Sequence, residues 1–196
     1  MRITGGAARG IPLRAPKGPL TRPATDRMRE AIFSRLGHRV SQARVADLYA
    51  GTGSYGLEAL SRGATQVHFF EKNPAALHCL EHNCKQVTKS GGFEPTSTHI
   101  HRGDLLRQHS PIAAFDLIFV DPPYDQIATQ LQSTFSNLVA SLSHPDTWLL
   151  IELPGHLELN VSGWRLDSRI GKADKNKPSL AIFRRDTASS VPKNPK

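Results

Sequence analysis

The chain predicts an α/β fold built on a doubly wound sheet, and three observations carry that prediction. Strand-like and helix-like runs alternate along its length, the pattern of parallel sheets covered by helices. A glycine turn, Gly51-Thr52-Gly53-Ser54-Tyr55-Gly56, links an apolar run at 44–49 to a helical one. A second apolar run, Phe115-Asp116-Leu117-Ile118-Phe119-Val120, stops abruptly at Asp121-Pro122-Pro123-Tyr124, and polar turns at the carboxyl ends of buried strands are where open α/β sheets bind and react.

The elements follow in order. Gly5-Gly6, Gly10, Pro12, Pro16, Gly18-Pro19 and Pro23 punctuate the start as hairpin and loop, and 26–36 reads as a helix with Met28, Ile32 and Phe33 on one side. Strands are predicted at 44–49, 67–70, 96–101, 115–120 and 147–153, and helices at 55–62, 74–89 and 126–142. Two further strand-like runs occupy 164–170 and 179–183, and the Ser-, Pro- and Lys-rich residues 187–196 read as a disordered tail. Cys79 and Cys84 share one predicted helix but point to different sides, so no disulfide framework is expected.

Charge divides the chain into three. Residues 1–40 carry a net +7, residues 41–163 a net −5 and residues 164–196 a net +6, for +8 overall. An acidic centre between basic ends suits a cationic cofactor flanked by surfaces for a polyanion, with RNA the natural candidate, although a merely solvated basic surface also fits. The expected organisation is a basic hairpin and helix at 1–40, a catalytic domain at 41–186 and the tail at 187–196. No apolar stretch has the length of a bilayer span and the first residues do not read as a signal peptide, so a cytoplasmic protein is expected.

Asp121-Pro122-Pro123-Tyr124 is the most informative stretch. Prolines fix φ and cannot donate, which leaves carbonyls available, while Asp121 adds an acceptor and Tyr124 a flat ring. That set suits a planar group with an exocyclic NH2, although Pro-Pro also simply stops strands. In the glycine turn, missing side chains let a ligand approach backbone at a helix N-terminus. Glu71, twenty residues after Gly51, ends the next strand, where a carboxylate can take both hydroxyls of a ribose. Such a nucleoside site fits a dinucleotide or S-adenosylmethionine. Asp47 favours the latter, because a carboxylate beside the turn repels a pyrophosphate and attracts a sulfonium or ammonium. Asp104, after Gly103, is placed to accept from an adenine amine, or to cap a helix, and Lys72 flanks the same place. The candidate cofactor residues are Asp47, Tyr49, Ala50, Gly51, Thr52, Gly53, Gly56, Glu71, Lys72, Gly103 and Asp104. Arg22, Arg27 and Arg29 suit a phosphate path, or ion pairs with Asp26 and Glu30. His78 and His82 share a helix face, but no partner pattern completes a zinc site, and no metal is expected.

The run Asp47 to Gly56, with Glu71, Gly103-Asp104 and Asp121-Pro122-Pro123-Tyr124, resembles the cofactor and catalytic motifs of Rossmann-type methyltransferases that modify exocyclic base amines. More narrowly, Arg2-Ile3-Thr4-Gly5-Gly6, Arg9-Gly10 and Arg22 to Glu30 resemble the bacterial small-subunit (16S) ribosomal RNA guanine-N2 methyltransferase family, over nearly the whole chain. The resemblance implies a seven-stranded sheet whose last two strands are antiparallel, S-adenosylmethionine as cofactor, and Arg2, Arg9, Arg22, Arg27 and Arg29 as RNA contacts. It implies methylation of a guanine N2 in 16S RNA, in a partly assembled ribosomal particle, with Asp121, Pro122, Pro123 and Tyr124 catalytic. Residues 171–177 lack the aromatic-glycine pair of that family. Competing readings are an N6-adenine methyltransferase on RNA or DNA, an NAD-dependent oxidoreductase and a non-catalytic RNA-binding assembly module. The oxidoreductase leaves Asp47 and Asp121 to Tyr124 without roles.

Overall fold

The computed structural model describes residues 1–16, 25–104, 114–122, 134–171 and 178–186. Apolar runs form strands β1 (Arg44–Leu48), β2 (Gln66–Glu71), β3 (Thr98–Arg102), β4 (Phe115–Val120), β5 (Ser143–Pro154), β6 (Trp164–Ile170) and β7 (Pro178–Arg185). They make one seven-stranded sheet in the order β3-β2-β1-β4-β5-β7-β6. The pairs β1·β2, β1·β4, β2·β3 and β4·β5 are parallel, whereas β7 is antiparallel to both β5 and β6. Strand order reverses between β1 and β4, which opens a crevice at their carboxyl ends.

Alternation along the strands sends residues to two buried faces. Val45, Phe69, Leu117, Phe119 and Leu150 share a core with Ile32, Phe33 and Leu36 of helix α1 (Asp26–Leu36), Leu57 and Leu60 of α2 (Ser54–Ser61), and Leu80 and Val87 of α3 (Pro74–Gly91). Ala46, Leu48, Ile118, Val120 and Ile151 face the other way, with Val139 of α4 (Thr134–Ser141). Capping sets the helix starts. Thr25 accepts from the Met28 N–H before α1, and Asn73 accepts from Ala75 and Ala76 with Pro74 in the first turn of α3.

Three boundaries differ from expectation for local reasons. β1 ends at Leu48 because Tyr49 turns to φ 60°. β3 starts at Thr98 because Pro95–Ser97 close a 3-10 turn, with the Ser97 N–H donating to Glu94 O. β5 begins at Ser143, where Thr147 Oγ1 accepts from His144 N–H and donates to Phe115 O across a break in the β4·β5 register. Of the helix expected at 126–142, 126–133 lie outside the described residues, as do 187–196. Both cysteines are free and buried, and burial pushes the Cys84 thiol up to about 12, which makes it a poor nucleophile.

The N-terminal hairpin packs into the same core as the sheet rather than standing apart. Ile3 exchanges backbone bonds with Ile11 and Gly10, and Ile3, Ala8 and Leu13 are buried. Glu58 of α2 anchors it. Its buried carboxylate accepts from Thr4 N–H (2.8 Å), Thr4 Oγ1 (2.7 Å), Gly5 N–H (2.9 Å) and Arg62 Nε (2.8 Å), and lies 3.8 Å from Arg29 Nε. Arg29 is therefore not on an RNA path. Its side chain is fully buried, paired with Asp26 at 2.7 Å and donating to Arg2 O, so no phosphate can reach it. Arg2, Arg9 and Arg27 are exposed, and Arg22 lies outside the described residues.

Breaking this anchor removes the partner of Thr4, Gly5 and Arg62 and takes the Glu58 carboxylate away from the buried Arg29, which keeps its pair with Asp26. Glu58→Ala is expected to lower unfolding free energy by about 3–5 kcal/mol, measured by urea denaturation, and the loss should be smaller for Glu58→Gln.

Candidate cofactor and catalytic site

The turn after β1 is built on backbone that only part of the glycine pattern explains. Gly51 (φ 56°) and Gly53 (φ 79°) both take left-handed conformations. A Cβ on Gly51 would meet only Tyr49 O, at 3.9 Å, so this backbone faces open space where a ligand can approach. Gly53 and Gly56 are small for another reason. A Cβ on Gly53 would lie 2.5 Å from Leu80 Cδ1, and one on Gly56 2.4 Å from Phe69 Cε1, so both let α2 sit close on β2 and α3.

Glu71 organises that turn. Its Oε2 accepts from Gly51 N–H at 2.7 Å, while Oε1 accepts from Lys72 N–H (2.8 Å) and Asn73 N–H (2.7 Å). A carboxylate has about four lone-pair directions, so capacity remains for one further hydroxyl on Oε2 while this turn is held. Gly103 N–H donates to Glu71 O at 3.0 Å, which brings the end of β3 alongside, and Lys72 Nζ lies 3.9 Å from Asp104 Oδ2. Burial and the Asp104 charge raise the Tyr49 hydroxyl. Gly51, Glu71, Lys72, Gly103 and Asp104 are thus brought together at the carboxyl ends of β1, β2 and β3.

Asp47 lies beneath the turn, 1% exposed, with Oδ2 accepting from Gly56 N–H at 2.9 Å. Burial raises it to about 8 from 3.8; the Gly56 hydrogen bond opposes the rise and the Glu71 charge adds to it. Asp121 follows β4, its N–H donating to Leu48 O at 3.3 Å, so the catalytic candidate sits beside the cofactor turn. Burial raises it well above the usual carboxylate range, and the charges of Glu152 and Asp47 raise it further. Pro122 is buried next to it, whereas Pro123 and Tyr124 lie outside the described residues.

Three residues of this site were not singled out in the sequence. Glu152 on β5 is 2% exposed and accepts from Tyr55 Oη at 2.5 Å. Tyr55, in the first turn of α2, stacks on Phe119 with centroids 5.1 Å apart and planes 6° from parallel. Only the strand register places Glu152 here. Val120 pairs with Ile151, so the next residues, Asp121 and Glu152, come level at the same sheet end. Asn83 is the third. Fully buried on α3, it donates to Thr52 O (2.9 Å) and Arg14 O (3.0 Å) and accepts from Arg14 N–H (2.8 Å), tying the cofactor turn to the hairpin.

An open backbone at Gly51, a carboxylate at the β2 end and buried acids beneath the turn fit a nucleoside ligand carrying positive charge. They fit a pyrophosphate less well, because a cation favours the ionised forms of Asp47, Asp121 and Glu152, whereas an anion would be repelled by any of the three that ionises. Comparisons with known proteins add the family and the enzyme class. A family model described as "Conserved hypothetical protein 95" matches residues 1–177. The chain belongs to this family. "Putative rRNA methyltransferase YlbH" of Bacillus subtilis is 35% identical over 132 residues, 64% of this chain and 68% of that protein. "Ribosomal RNA small subunit methyltransferase D" of Escherichia coli K12 is 36% identical over 124 residues, 63% of this chain and 60% of that protein. The solved structure of "Putative methyltransferase yhhF" from Escherichia coli superposes with a TM-score of 0.76 at 27% identity, covering 95% of this chain and 98% of that one. Fold and family together make the chain a methyltransferase, with the Rossmann-like sheet of that class.

Two outcomes follow for the family member described here. Asp47 binds its proton up to about pH 8 when folded and up to 3.8 when unfolded. The protein alone should therefore lose stability as pH rises between those values, and Asp47→Asn should flatten that slope in thermal melts. Asn83→Ala removes the acceptor and both donors that hold Thr52 and Arg14, leaving partly buried backbone groups without these partners. Stability should fall by about 1–3 kcal/mol, and calorimetric titration should show weaker S-adenosylmethionine binding.

Proposed function

We propose that the chain transfers a methyl group from S-adenosylmethionine to the exocyclic N2 amine of a guanine in 16S ribosomal RNA. The observation that carries this reading is the junction of β1 and β4, which sets Asp121 and Pro122 beside the glycine turn and above the buried acids. Gly51 and Thr52 backbone, Glu71, Asp104 and Asp47 are the residues that would hold the cofactor. Glu71 offers its remaining lone-pair direction to one ribose hydroxyl rather than bonding both, since three backbone N–H groups already occupy it. When bound, S-adenosylmethionine supplies an electrophilic methyl on a sulfonium.

The chain's own residues do the rest. The Asp121 carboxylate and the Pro122 carbonyl accept the two amine hydrogens, which draws the nitrogen lone pair out of ring conjugation. Tyr124 stacks on the base after it leaves its neighbours. Positive charge beside Asp47 and Asp121 lowers their proton affinity, so Asp121 is an ionised acceptor in the loaded site. Its position among other carboxylates keeps it basic enough to take the proton that the methylated amine releases. Displacement of this kind is dominated by positioning.

The turn itself accepts adenine N6 as readily as guanine N2. The choice of guanine rests on the resemblance of residues 22–30, and the small-subunit substrate is supported by the Escherichia coli relative's name. A base in a loop costs less to unstack than one in an A-form duplex, so a single-stranded site in a partly assembled particle is the proposed target. Action in the bacterial cytoplasm, where ribosomal RNA is modified, accompanies that proposal. No described helix is long and apolar enough to cross a membrane.

Asp121→Ala should cut kcat by orders of magnitude with S-adenosylmethionine affinity within a few-fold, whereas Glu71→Ala should weaken the cofactor by about 1.5–3 kcal/mol. Normal turnover in folded Asp121→Ala contradicts the assigned role. Nucleoside mass spectrometry after reaction with small-subunit RNA, naked and partly assembled, should find N2-methylguanosine. Label in N6-methyladenosine alone would overturn the guanine assignment and keep the methyltransferase.

A further inference from the structure

The two basic ends of the sequence meet on one surface. Arg35, in the last turn of α1, and Arg39, in the 3-10 turn behind it, reach over the Trp148 indole, with guanidinium carbons 6.0 and 4.6 Å from the ring centroid. Arg184 of β7 joins them at 5.5 Å. Arg165 of β6 stands directly opposite Arg184 across the strand pair. Asp167 is shared, 3.2 Å from Arg35 and 3.8 Å from Arg184, and no carboxylate among the described residues pairs with Arg39.

Such an arrangement is unfavourable for the protein by itself. Like charges directly opposite on paired strands destabilise a sheet, and the three guanidinium groups over one ring have a single paired carboxylate, Asp167, among the described residues. Each cation–π contact holds its side chain in place, so these groups are pre-ordered, and little further rotamer freedom is lost when they take a ligand. Arg35 and Arg184 side chains remain 49% and 39% exposed and Arg39 is exposed as well, whereas Trp148 is only 6% exposed. The ring is thus a support rather than a stacking platform, and what reaches the surface is positive charge without an aromatic face. That chemistry suits phosphodiesters, with no exposed indole on which a base could stack. On one side the surface is bounded by a hollow lined by Arg39 and His38 together with Asp116 and Asp146, whose charges turn a polyanion away.

We infer that this face, formed by Arg35, Arg39, Arg165 and Arg184, is a second contact surface for the RNA substrate, holding phosphates away from the base being modified. It rests on the proposed RNA methylation. Trp148 pairs with Leu117, four residues before Asp121, so the surface lies roughly 13 Å along the strand direction from the catalytic turn. It binds backbone of the same folded RNA whose flipped base occupies the crevice, which explains why the carboxyl-terminal strands are basic as well as the N-terminal hairpin.

The experiment compares the full-length protein with Arg39→Gln/Arg184→Gln, which removes two charges and keeps much of the packing over Trp148. A second variant, Arg35→Gln, lies in a different element and guards against a local folding defect. Melting temperature and S-adenosylmethionine titration are read alongside methylation of small-subunit RNA at several salt concentrations. The double variant should bind cofactor normally and yield the same modified nucleoside. Its KM for RNA should rise roughly tenfold or more near 0.1 M salt, and the slope of log affinity against log salt should flatten by about 1.5. Arg35→Gln should shift both in the same direction by less. A lower melting temperature with unchanged RNA affinity and salt slope would show that the arginines only pack on Trp148, and would overturn the surface while methylation stands. Failure of the unaltered protein to methylate any ribosomal RNA would overturn the functional reading and the surface with it.

Discussion

Parallel pairing of β1 with β4 is the constraint on which the rest of the molecule depends. Leu48 pairs with Val120, and the Asp121 N–H continues that ladder to Leu48 O. Two chain segments separated by some seventy residues of sequence thereby end at the same level, one entering the glycine turn and the other the Asp-Pro-Pro turn. Reversal of strand order at this pair keeps the space above it free of crossover connections. β5 extends the alignment, because Ile151 pairs with Val120 and Glu152 comes level with Asp121.

Carboxylates gathered at one sheet end repel one another, and the fold manages this locally. Gly56 N–H bonds to Asp47 and Tyr55 Oη bonds to Glu152, while burial favours the protonated forms of Asp47 and Asp121. A cation relieves the same strain from outside. In the proposed function, the acidity that costs the protein stability is what favours a sulfonium or ammonium over a pyrophosphate.

The N-terminal hairpin belongs to this machinery through two buried polar side chains. Glu58 fixes Thr4 and Gly5 to α2, and Asn83 fixes Arg14 to α3 while holding the Thr52 carbonyl. Both helices begin in or beside the cofactor crevice, so the segment with exposed Arg2 and Arg9 is mechanically continuous with it. Arg29 illustrates the division of labour on α1. At one end of the helix the guanidinium is used inside the protein, while Arg35 in the last turn faces outward.

The sequence by itself determined the α/β class, the strands and the positions of the glycine turn and the Asp-Pro-Pro turn, because hydrophobic periodicity, glycine spacing and Pro-Pro are local signals. The placement of Glu71 and Asp47 beside the glycine turn was legible for the same reason: each ends or lies in an apolar run next to a recognisable turn. Only the tertiary structure decided which arginines are available, since Arg27 and Arg29 differ in exposure by the rotation of one helix and not by any feature of the residue. It also showed that Gly53 and Gly56 leave room for Leu80 and Phe69 to pack against the turn. Tyr55, Glu152 and Asn83 were invisible because their partners lie 97, 97 and 31 residues away in the chain. Long-range hydrogen bonds leave no period in a sequence, and the convergence of Arg35, Arg39 and Arg184 on Trp148 exists only once β5, β7 and α1 have packed together.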